Sequence, residues 1–109
     1  MADSYKIVLS PKAKRDVNQI LRYVRSVSDL EAAIKVHQLP LDSFDKIAHM
    51  PTRSAVFHTV EGNEIRSFEA KKRYRILYGI EEPAQRVAII RVAHVKMSRL
   101  TLLNFLEEE

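Results

Sequence analysis

A chain of 109 residues has room for one hydrophobic core, so a single domain over residues 1–109 is predicted. The absence of cysteine excludes a disulfide framework and a thiolate metal site, and suits a reducing cytoplasm. No run approaches the roughly 20 apolar residues of a membrane span, and the start Met-Ala-Asp-Ser-Tyr-Lys-Ile lacks the pattern of a secretory signal; a cytoplasmic protein without a membrane partner is expected.

Tyr5–Leu9 reads as a first strand. Ser10-Pro11 then starts a helix, because serine caps free amides and proline fits the first helical position. Ala13, Val17, Ile20, Leu21 and Val24 make one apolar stripe, with most of the charges opposite. Ser28-Asp29-Leu30-Glu31 has capping-box spacing. A second helix is therefore predicted through Leu30, Ile34, His37, Leu41, Phe44 and Ala48, kinked at Pro40 and ended by Pro51.

Thr52–Gly62 alternates weakly through Val56, His58 and Val60, so a short strand and an ordered loop both fit. Glu61-Gly62-Asn63 is a turn signal. Strands are predicted over Asn63–Glu69, Lys71–Ile80 and Arg86–Lys96, the last two joined by the proline-containing turn Glu81–Gln85. Within Arg86–Lys96 strict alternation puts Val87, Ile89, Arg91, Ala93 and Val95 on one face. Ser98–Leu106 reads as a capped terminal helix that either covers the sheet or meets a partner. Helices come first and strands later, so the class is α+β: an N-terminal strand and helical hairpin on a small antiparallel sheet, with a C-terminal helix.

The net charge of +4 is unevenly spread. Between Arg66 and Arg99 nine cations stand against three acids, an excess larger than that of the whole chain. Such a field favours RNA, DNA or an acidic protein segment.

Ser-Pro-Lys-Ala-Lys-Arg-Asp-Val (10–17), with Ile20 and Tyr23, resembles the start of the RelE/ParE toxin superfamily. So do Ile65-Arg66-Ser67-Phe68, Tyr74-Arg75-Ile76-Leu77-Tyr78 and Ile90-Arg91-Val92-Ala93-His94-Val95-Lys96. The resemblance implies a toxin of a type II toxin–antitoxin pair, neutralised by a small acidic or DNA-binding antitoxin. It implies one of two targets. ParE-like members, known from plasmid stabilization, inhibit DNA gyrase; RelE-like members cut messenger RNA on the ribosome. The hydrophobic tail after Lys96, without a tyrosine, favours the ParE type.

Cleavage through a 2′-hydroxyl needs a proton acceptor, cations for the charged intermediate and a proton donor for the leaving oxygen. If the chain is a nuclease, Arg66, Arg75, His94 and Lys96 are the catalytic candidates: two arginines on neighbouring strands facing one phosphate, a histidine able to act as acid or base, and a further cation. A purely structural role for Arg75 and His94 is the competing reading. No histidine pair has metal-ligand spacing, so neither a metal nor a cofactor is expected.

Overall fold

The computed structural model describes residues 4–27 and 41–107. The capping box at 28–31, His37 and the Pro40 kink lie outside the described residues. In chain order come β1 (Lys6–Leu9), α1 (Pro11–Val27), a helix over 41–49 (α2) and a 3₁₀ turn at Pro51–Arg53. Then follow β2 (Val56–Val60), β3 (Asn63–Ala70), β4 (Tyr74–Glu81), β5 (Arg86–His94) and α3 (Arg99–Glu107).

The strands form one sheet in the order β1-β5-β4-β3-β2. Neighbours from β2 to β5 are antiparallel, as the short turns require. β1 instead runs parallel to β5, Lys6 opposite Arg86 and Leu9 opposite Ile89. The sheet is therefore mixed rather than purely antiparallel.

Local chemistry explains both helix starts. Ser10 Oγ accepts from the Ala13 N–H at 3.0 Å and donates to the Ile90 carbonyl at 2.8 Å, so the cap also fastens α1 to β5. Ser98 Oγ accepts from the Thr101 N–H at 3.2 Å at the start of α3. Two apolar layers result. On one face, Ala13 of α1 and Phe44 and Ile47 of α2 pack on Ile76, Tyr78, Val87, Ile89 and Val92. On the other, Leu102 of α3 packs on Ile65, Leu77 and Ala93.

Two expectations are corrected. Lys71–Arg73 are a turn rather than the start of β4. Lys71 (φ 49°) and Lys72 (φ 59°) are left-handed, and the Arg73 N–H closes the turn on the Ala70 carbonyl at 3.0 Å. Alternation in β5 also fails. Leu77 pairs with Arg91 but Tyr78 with Ile89, which leaves Ile90 as an extra residue in a bulge. Beyond it the faces exchange, so Val92 joins Ile89 under the helices while Ala93 turns toward α3.

Candidate functional site

The four candidate residues do not converge. Arg66 is the register partner of Tyr78, and Arg75 of Glu69 and Ala93. Paired residues share a face and neighbours along a strand alternate, so Arg66 opens on the hairpin side and Arg75 on the α3 side. They cannot hold one phosphate.

Arg66 is already engaged. Its Nη1 donates to the Ser54 carbonyl at 2.6 Å and to the Thr52 carbonyl at 3.3 Å, and its Nη2 lies 3.7 Å from Glu64 Oε1. Beside it the buried Tyr78 hydroxyl donates to the Pro51 carbonyl at 2.5 Å. A 3₁₀ turn leaves carbonyls without backbone partners, and these two side chains satisfy them. Burial pushes the Tyr78 phenol above its ordinary 10.0, against the lowering effect of its Ser54 hydrogen bonds and the Arg66 charge. Its native form resists ionisation more than the unfolded chain does. This contribution is complete below pH 10 and is lost as pH rises through the higher native value. Tyr78→Phe is expected to cost about 1 kcal/mol at neutral pH and to flatten the alkaline limb of a pH–stability curve.

Arg75 donates from Nη1 to Ser67 Oγ at 3.2 Å, while its buried Nε has no hydrogen-bond partner. His94 is exposed at the end of β5, edge-on to Tyr74 with ring centroids 6.1 Å apart. Its Nδ1 lies 3.1 Å from the Lys96 amide, which can only donate. In this arrangement the neutral ring carries its proton on Nε2. Lys96 is exposed beyond it.

Arg91 and Asp16 are brought together with no candidate status from the sequence. Arg91 Nε and Nη2 donate to Asp16 Oδ2 and Oδ1 at 2.9 and 3.0 Å, and the Val92 N–H donates to Oδ2 at 2.9 Å. Both side chains are about nine-tenths buried, 10% and 8% exposed. This is a strut between α1 and β5. A signal for it existed: Asp16 stands at a stripe position beside Ala13, Val17 and Ile20, where an unpaired carboxylate would be intolerable.

A shallow depression of about 620 Å³ opens at the other end of the sheet, lined by Thr59, Glu64, Arg66, Gly79, Glu81 and Ile90 among others. It contains none of Arg75, His94 and Lys96. No helix among the described residues is long and apolar enough to cross a membrane.

Residues 7–99 match the family described as the ParE toxin of the type II toxin–antitoxin system parDE. The chain belongs to this toxin family. No curated protein matches it significantly. Among solved structures it is similar to the chromosomal ParDE toxin–antitoxin system from P. aeruginosa, with a TM-score of 0.71 and 15% identity over 85% of this chain and 98% of that one. It is also similar to the toxin–antitoxin complex RelBE2 from Mycobacterium tuberculosis, with a TM-score of 0.59 and 20% identity over 86% and 94%. At these identities the structures share the fold.

Proposed function

We propose that the protein is the growth-inhibiting toxin of a type II pair, acts on DNA gyrase by binding, and is silenced by a cognate antitoxin encoded beside it. The observation that carries the gyrase target is the separation of Arg66 and Arg75 on opposite faces, with Arg66 held by two carbonyls. The placement of His94 supports it, since one ring nitrogen is engaged by the Lys96 amide in a local backbone contact. The antitoxin is supported by the ParDE and RelBE2 assemblies that share the fold.

A ribosome-dependent nuclease is the second reading. It is favoured by Arg75, the candidate arginine that no backbone carbonyl holds and whose buried Nε has no hydrogen-bond partner. Purified protein should inhibit gyrase supercoiling and leave ribosome-bound messenger RNA intact; the reverse pattern rejects the gyrase target. His94→Asn, which keeps an acceptor for the Lys96 amide, should inhibit gyrase as the parent does and melt within about 0.5 kcal/mol of it. His94→Ala should lose about 1 kcal/mol through the unpaired amide, again without loss of inhibition. A loss of activity in the folded asparagine variant would return His94 to the chemistry.

A further inference from the structure

The fold sorts charge along the strands. The β3–β4 turn carries Lys71, Lys72 and Arg73, and β5 ends beside it, since the Val95 N–H donates to the Arg73 carbonyl at 2.9 Å. Lys96 follows immediately. All four cations are exposed, and none has an ion-pair partner among the described residues. The opposite end of the sheet bears Glu61, Glu64, Glu81 and Glu82 at the β2–β3 and β4–β5 turns, where Arg86 answers Glu81 at 2.7 Å. Glu69, Asp42 and Asp45 border the cationic rim on the α2 flank, in a groove with Lys46 and Lys71.

A second observation concerns the backbone. Two consecutive lysines occupy left-handed positions where Asn-Gly would sit without strain. The chain thus accepts a conformational cost in the turn that carries three of the four cations. At the acidic end the equivalent turn places one non-glycine residue, Glu61 (φ 50°), and Gly62 (φ 81°) left-handed, so among the described residues only the lysine turn uses two non-glycine residues in succession.

We propose that the rim formed by Lys71, Lys72, Arg73 and Lys96 docks on the phosphate backbone of duplex DNA. The choice of DNA, rather than another polyanion, rests on the gyrase reading, which brings the toxin to an enzyme loaded with it. The surface agrees. The four rim side chains are themselves all cationic, and Leu41 and Leu100, large exposed hydrophobics among the described residues, flank the rim singly rather than as a patch. Tyr74 is half-buried against His94, so single-stranded bases find no open stacking platform. What remains is charge on flexible stems, which suits a sequence-independent phosphate contact.

The test measures binding of the free toxin to a labelled duplex of about 20 base pairs by fluorescence anisotropy over a salt series. Four contacts predict a log–log slope of about −3 to −4, and Lys96→Gln should reduce its magnitude by about 1. The double variant Lys71→Asn/Lys72→Gly removes two cations and relaxes the turn. It should bind roughly tenfold more weakly at moderate salt while its melting temperature rises by about 4 °C. A flat salt series, a rim variant that binds like the parent, or tighter capture of poly-glutamate or single-stranded RNA than of the duplex overturns the proposal. The gyrase reading is scored separately by supercoiling. Rim-dependent DNA binding without inhibition supports the site and sinks the target; inhibition without rim-dependent binding does the opposite.

Discussion

Asp16→Asn should lower the stability of the protein by about 3–5 kcal/mol, the largest effect of any single polar substitution proposed for it. The amide has nearly the same shape, so packing is unchanged. What changes is the side-chain Nδ2, which puts a donor where Arg91 and the Val92 amide already present donors. The Arg91 guanidinium then loses its counter-charge in a region with little water. For a domain of this size the loss corresponds to a fall in melting temperature of about 12–20 °C. Replacing both partners by apolar residues, as in Asp16→Leu/Arg91→Met, should recover part of it, because the desolvation of both charges disappears with their attraction while the buried Val92 N–H still loses its acceptor. Thermal melting of the single and double variants decides the matter. A single variant as stable as the parent would mean that α1 is held to the sheet by its apolar stripe alone.

Leu102→Ala should cost about 2–5 kcal/mol. Leu102 is 1% exposed and, among the described side chains of α3, is the one buried in the second apolar layer, against Ile65, Leu77 and Ala93. Its neighbour Leu100 is 70% exposed and contributes little. Leu100→Ala is therefore the matched control, expected within about 0.5 kcal/mol of the parent. Hydrogen exchange adds a second reading. In Leu102→Ala the amides of α3 should exchange before those of β4 and β5, since the helical hairpin still covers the other face. Equal exchange throughout would make α3 part of the cooperative unit.

The legible parts of the fold were those with local causes. Ser10-Pro11 and Ser98 act as caps because a hydroxyl meets a free amide three residues on, wherever the helix lies. The break at Glu81–Gln85 separates β4 from β5 as the proline-containing turn suggests. The bulge at Ile90 carries no glycine or proline to mark it, and its effect, an exchange of faces in β5, is set by pairing with β4. The lysine turn was hidden for a similar reason, since nothing in Lys-Lys-Arg favours positive φ. Candidate chemistry was the least legible. A sequence shows that Arg66 and Arg75 are cations on adjacent strands, but their faces depend on where the turn between them begins, and a three-residue shift decides it. Arg91 looked like one more basic residue of the sheet until Asp16, 75 positions away, met it.

The parallel pairing of β1 with β5 has a kinetic consequence. Residues 6–9 find their partners only at residues 86–89, and α1 is fastened to β5 by both Ser10 and Asp16. The meander β2–β5 can form through short loops, whereas β1 and α1 close a loop that includes most of the chain, a slow step dominated by chain entropy. β1 and α1 are thus expected among the last elements to dock, and until they do, Val87 and Ile89 lack part of their cover.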